Sequence, residues 1–160
     1  MMRDTPVLIR PASTAEAAEI AAVQTTVWRS TYGGTVPAGF LDAEAQDRRT
    51  EHWQTMLGFS AFDHTIVVAE RDSMIVGFVH AGIELEQRKI FALYVVPHLH
   101  GTGIGQLLLD SVLVDEATEL WVARDNYRAV AFYRRNGFVP DGTAEDFPGI
   151  SGFVTIRMVR

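Results

Sequence analysis

Lys89-Ile90-Phe91-Ala92-Leu93-Tyr94-Val95-Val96-Pro97 runs directly into His98-Leu99-His100-Gly101-Thr102-Gly103-Ile104-Gly105-Gln106, and this stretch decides the fold. The first part is apolar at odd and even positions alike, as a strand covered on both faces must be, and Pro97 ends it. The second part alternates glycine with other residues at the mouth of a helix predicted from about Gly103 to Glu116. Alternating glycines let the backbone turn with no Cβ in the way, so successive N–H groups converge on one point. The helix adds its unpaired first-turn amides and the positive end of its dipole. Together they form a cradle for a diphosphate. The alternative is a tight turn whose glycines serve packing alone. Two other glycine loops are excluded. No Lys followed by Ser or Thr comes after Gly105, as a P-loop requires. Gln106 stands where a dinucleotide fingerprint needs its third glycine.

Working outward, Thr65–Glu70 and Met74–Ile83 read as the arms of a hairpin turning at Arg71-Asp72-Ser73. Before them come a strand at Val7–Arg10, halted by Pro11, and a helix from Ser13 or Thr14 to about Tyr32. Glu16 completes a capping box at its start. A second helix is predicted from Ala38 to Leu57. Beyond the glycine segment lie a strand at Glu119–Ala123 and a helix capped by Asp125 that ends at Asn136-Gly137. Phe138–Pro140 and Gly152–Val159 read as closing strands. This order predicts an α/β (α+β) protein with a mixed, largely antiparallel central sheet of about seven strands flanked by helices. One domain is expected over residues 1–160.

Composition narrows the function. The chain has 160 residues, 48% hydrophobic and 21% charged, an ordinary globular balance. Fourteen basic against 20 acidic residues give a net charge of −6, which opposes binding to nucleic acid. With no cysteine, thiolate metal sites and cysteine nucleophiles are excluded. Arg3-Asp4 interrupts the segment where a secretory leader would be apolar, and no apolar run approaches the length of a membrane span. A soluble, cytoplasmic protein without membrane partners is expected.

A second constellation follows the cradle. Asn126, Ala129, Val130 and Tyr133 share one helix face at spacings i, i+3, i+4 and i+7. Asn126 stands at the helix start, and small Ala129 would let a ligand chain approach. Tyr133 and Phe132 read equally well as core aromatics.

With both segments in view, the chain resembles the GNAT superfamily of N-acetyltransferases. His100-Gly101-Thr102-Gly103-Ile104-Gly105 matches the family's pyrophosphate motif Q/R-x-x-G-x-G/A except at its first position. Leu93-Tyr94-Val95-Val96-Pro97 is similar to the apolar strand before it. Asn126, Ala129, Tyr133, Gly137 and Phe138 match N-x-x-A-x-x-x-Y-x-x-x-G-F throughout. Ile9-Arg10-Pro11-Ala12, Trp28, Tyr32-Gly33-Gly34, Pro37 and Phe40-Leu41-Asp42 also resemble a bacterial branch of the family.

The resemblance implies the GNAT-like acyl-CoA N-acyltransferase fold, acetyl-CoA as co-substrate without a metal, and direct transfer to a small-molecule or peptide amine. It further implies that Leu93, Tyr94 and Val95 hold the pantetheine arm, with the Val95 N–H at the oxyanion. His100, Gly101, Thr102, Gly103, Ile104 and Gly105 would hold the diphosphate. Asn126 and Ala129 would line the cofactor arm, and Tyr133 would be the general acid. A non-catalytic acyl-CoA sensor on the same fold is the alternative function. A homodimer is left open, dimers being common among similar proteins.

Three departures stand out. His100 replaces the family's Gln or Arg, so its charge would vary near neutral pH and cofactor affinity would weaken at high pH. Lys89 stands where relatives often place a glutamate base. Glu84, Glu86 and His80 are the nearby substitutes, each of which also reads as an ordinary strand or turn residue. Arg128, Arg134 and Arg135 are candidates for a nucleotide 3′-phosphate, although solvated helix residues are the commoner case. His98-x-His100 lacks the third ligand of a metal site. Trp28, Tyr32 and Phe40, with Phe147-Pro148-Gly149, are placed to wall the acceptor, and Asp42, Glu145 and Asp146 to orient a cation.

Overall fold

The computed structural model describes residues 5–59 and 63–160. Met1–Asp4, which carry the argument against a leader, lie outside them. The chain runs β1 (Leu8–Pro11), α1 (Ala17–Tyr32), α2 (Ala43–Gly58), β2 (His64–Arg71), β3 (Met74–Glu84), β4 (Gln87–Val95), α3 (Ile104–Val112), β5 (Thr118–Ala123), α4 (Tyr127–Arg135), β6 (Val139–Asp146) and β7 (Val154–Val159). Among the described residues the strands form a 7-stranded sheet in the order β1-β2-β3-β4-β5-β7-β6. Every pairing is antiparallel except β4 with β5. The α3 crossover demands that exception.

Helices cover both faces. On one face α3 buries Ile104, Leu108, Leu109 and Val112 in a cluster with Val79, Tyr133, Phe138 and Met158. On the other, Ile20 and Val27 of α1 and Trp53 of α2 pack with Val68 and Phe78. The β4 pattern explains this, since a central strand with helices on both faces has no side left for polar residues. Among the described residues no helix is long and apolar enough to cross a membrane.

Several boundaries differ from the sequence reading, each for a local reason. Helix α2 starts at Ala43 rather than Ala38, because the Asp42 carboxylate accepts from the Ala45 N–H at 2.8 Å. Ala38–Phe40 after Pro37 is a separate 3-10 turn. Helix α3 stops at Val112, short of Asp115-Glu116, whose charges would oppose the negative end of its dipole. Asn126, not Asp125, caps α4, its Oδ1 accepting from the Ala129 N–H at 3.2 Å. Strand β6 continues to Asp146, with a register shift between Pro140 and Ala144 that spans Gly142 at φ 90. The β2–β3 turn holds Asp72 and Ser73 at φ 53 and 62, the twist that a two-residue hairpin favours.

His80 on β3 is 4% exposed, flanked by Trp53 and Phe91 and hydrogen-bonded through Nε2 to His64 Nδ1 at 2.9 Å. Burial, with His64 beside it, pushes its imidazole from the usual 6.5 down to about 4. Between those values the unfolded chain binds a proton that the folded chain refuses, so stability falls as pH falls through that window. Urea midpoints should therefore be lower at pH 5 than at pH 7.5, and His80→Phe should shrink the difference.

Candidate active site

The site begins where two strands part. Strands β4 and β5 pair only through Arg88–Ile90 against Thr118–Leu120. The β3–β4 register then skips Phe91, with His80 opposite Ala92 and Ala81 opposite Ile90. Such a bulge bends the strand, and the rest of β4 leaves β5. The Val96 N–H donates to Val76 O at 2.9 Å. Because amides alternate along a strand, those of Leu93 and Val95 face the open edge. The Val95 carbonyl faces it too and accepts from His100 Nε2 at 2.7 Å.

That bond corrects the expectation for His100. Burial holds its imidazole below the usual value, with the bond to Val95 opposing, so the ring is neutral near pH 7 and its N–H is spent on the strand. The ring braces the loop against β4.

The loop itself is open. The backbone N–H of each residue from Gly101 to Gln106 finds no acceptor among the described residues. Gly101 and Gly103 sit at φ 77 and 90, and a Cβ on either would meet nothing within 4 Å. Left-handed geometry and open space place these amides at the rim of a cavity of about 390 Å³. Leu93, Tyr94, Val95, His100, Gly101, Gly103, Gly105, Asn126, Ala129 and Tyr133 line it. Thr102 and Ile104 do not. The Thr102 hydroxyl donates to Leu99 O at 2.6 Å, and the Ile104 side chain is core.

Arg128 and Arg135 also line this cavity, whereas Arg134 does not. Gln106 lines it as well, a residue the sequence reading missed. Its amide exchanges two hydrogen bonds with Asn136, at 2.8 and 3.1 Å, tying the start of α3 to the end of α4. A pair thirty positions apart has no local signature.

A second cavity, of about 260 Å³, follows the divergence of β4 and β5. Tyr32, Leu93, Tyr94, Asn126, Ala129 and Tyr133 line both cavities. Tyr133 is 8% exposed, and its hydroxyl makes no hydrogen bond among the described residues. Burial, aided by Tyr94 and Tyr32, pushes its phenol well above the usual range. Asn126 has both side-chain ends engaged, Oδ1 capping α4 and Nδ2 donating to the Tyr32 hydroxyl at 3.0 Å.

Trp28 lines the second cavity, its Nε1 donating to the Tyr94 hydroxyl at 3.0 Å. Phe147, Pro148 and Glu145 line it too. Phe40 lines neither cavity; it stands against Phe147 with centroids 6.4 Å apart, a supporting residue rather than a wall.

The base candidates lie elsewhere, and none of Glu84, Glu86 and His80 lines either cavity. Glu84 is 2.7 Å from Lys89 Nζ, which Glu119 also approaches at 3.3 Å. These hydrogen bonds hold the Lys89 ammonium above its usual range, so Lys89 stays charged. Glu86 sits in the β3–β4 turn at φ 63, roughly 25 Å along β4 from its open end. His80 is sealed against Trp53.

Residues 62–140 match the acetyltransferase (GNAT) domain. An uncharacterized N-acetyltransferase of Mycobacterium tuberculosis is 32% identical over 114 residues, which cover 66% of this chain and 69% of that protein. Another, from Archaeoglobus fulgidus, is 38% identical over 81 residues, 42% of this chain and 55% of that one, so the match spans about half its length. The crystal structure of the PaiA N-acetyltransferase from Thermoplasma acidophilum in complex with coenzyme A superposes with a TM-score of 0.76 at 23% identity, covering 97% of this chain and 98% of that one. The chain belongs to the GNAT acetyltransferase family.

Gly103→Ala tests the cradle. The added methyl meets no protein atom within 4 Å, so the cost is the left-handed backbone, about 1 kcal/mol. The circular dichroism spectrum should stay native while calorimetry shows coenzyme A binding about fivefold weaker.

Proposed function

We propose that this protein is an acetyl-CoA-dependent N-acetyltransferase that passes the acetyl group directly to an amine bound in the same cleft. The observation that carries this reading is the meeting of the two cavities at Leu93, Tyr94, Asn126, Ala129 and Tyr133. A donor in one and an acceptor in the other would react without leaving the protein, and holding both together accounts for most of the acceleration.

The free amides from Gly101 to Gln106 suit the diphosphate of the donor, with Arg128 and Arg135 available to its remaining phosphate. The acyl arm would follow the open edge of β4, where the Val95 N–H donates to the thioester oxygen as charge develops there. The acceptor binds as its ammonium, gives up one proton to water in the groove and attacks as the neutral amine. Its lone pair forms the new C–N bond, the C–S bond breaks, and the surplus proton on nitrogen passes to solvent in the groove. Tyr133 delivers its phenolic proton to the departing sulfur and regains one from solvent. Burial keeps that phenol protonated throughout the working range, which suits an acid. Its share is modest, because a thiol of pKa about 8.5 already leaves readily. With Glu84, Glu86 and His80 outside both cavities, the amine loses its first proton to water rather than to one of them.

Release of coenzyme A from acetyl-CoA across a panel of amines tests the reading; a sensor would bind the donor and release none. Tyr133→Phe should lower kcat about ten- to a hundredfold and leave the KM for acetyl-CoA nearly unchanged. Turnover at the wild-type rate in that variant would remove Tyr133 from the mechanism.

A further inference from the structure

We propose that the acceptor is a small monocationic amine carried on an aromatic or flat apolar body, and that Glu145 selects it; this rests on the acetyl-transfer reading above. The second cavity supplies the argument. Its volume of about 260 Å³, at the lower edge of the roughly 300–1,000 Å³ usual for drug-sized ligands, suits a small acceptor.

One wall is a fixed set of rings. Trp28 meets Tyr32 edge-on at 5.1 Å and stacks on Phe153 at 6.0 Å. Phe153 in turn meets Tyr32 at 5.0 Å and Phe147 at 5.8 Å, both edge-on. The bonds from Trp28 to Tyr94 and from Asn126 to Tyr32 fix two of the rings further. A wall this constrained is formed before the ligand arrives, so little ordering is left to oppose binding. Trp121 of β5 lines the same cavity. These surfaces suit the faces and edges of another ring.

Glu145 carries the only formal charge among the described residues lining this cavity. Its backbone carbonyl accepts from Thr155 Oγ1 at 3.1 Å, which holds the residue in register on β6. Its carboxylate makes no ion pair among the described residues. An unpaired carboxylate at the rim of an aromatic groove is complementary to one ammonium.

The same accounting disfavours other amines. A polyamine would bring further cations with no second carboxylate to meet them, and toward the first cavity they would encounter Arg128 and Arg135. An amino acid would bring its own carboxylate against Glu145. Cation–π contact alone returns too little per ammonium to offset desolvation of each extra charge.

The test measures coenzyme A release from acetyl-CoA with 2-phenylethylamine, propylamine, spermidine and glycine, using the wild-type chain, Glu145→Gln and Trp121→Leu. The wild type should favour 2-phenylethylamine over spermidine and glycine by about tenfold or more in kcat/KM. Glu145→Gln should raise the KM for 2-phenylethylamine about tenfold with kcat and coenzyme A affinity unchanged. Trp121→Leu should raise that KM while sparing propylamine, which has no ring to place. Faster acetylation of spermidine or glycine, or an unchanged KM in Glu145→Gln, overturns the assignment of the acceptor and leaves acetyl transfer standing. Absence of coenzyme A release with every amine overturns both.

Discussion

The separation of β4 from β5 after Ile90 is the constraint from which the rest of the site follows. Backbone groups in a sheet are normally paired, and leaving them unmet in a dry interior is costly. Here the unmet groups border open clefts. The Leu93 and Val95 amides remain free to meet a ligand, while the Val95 carbonyl, which would repel an acyl oxygen, is covered by His100. The same imidazole therefore closes the wrong backbone group and anchors the glycine loop beside the right ones.

The two helices bordering the cleft are tied to each other and to α1. The reciprocal amide pair of Gln106 and Asn136 joins α3 to α4, and Asn126 links the start of α4 to Tyr32 at the end of α1. The two cavities consequently share one framework, in which Tyr133 occupies the junction. Charge is distributed with equal economy. A chain of net charge −6 still lines its first cavity with Arg128 and Arg135 and its second with Glu145 alone, so local placement overrides the global balance.

Much of the fold was legible because its signals are local. Continuous apolarity marked β4 as central, and the glycines at 101, 103 and 105 marked the strand-to-helix turn. Helical spacing put Asn126, Ala129 and Tyr133 on one face, and Asp72-Ser73 fell in the expected turn. Errors at element ends had equally local causes, namely a competing cap at Asp42, another at Asn126, and acidic residues after Val112. The candidate site was legible in its backbone parts and less so in its side chains. Phe40, read as a wall, supports Phe147, and the carboxylates near Lys89 lie at the far end of β4.

The sequence alone determined the order of elements, the cradle of free amides and the lack of any cysteine chemistry. These depend on backbone conformations set within a few residues, where glycine, proline and periodicity act directly. Tertiary structure alone decided that His100 turns back to Val95, that Asn126 holds Tyr32, and that Glu145 faces a groove of aromatic rings. Those outcomes depend on contacts between segments far apart in the chain, where the partner of a side chain is set by how sheets and helices pack and leaves no trace in local spacing.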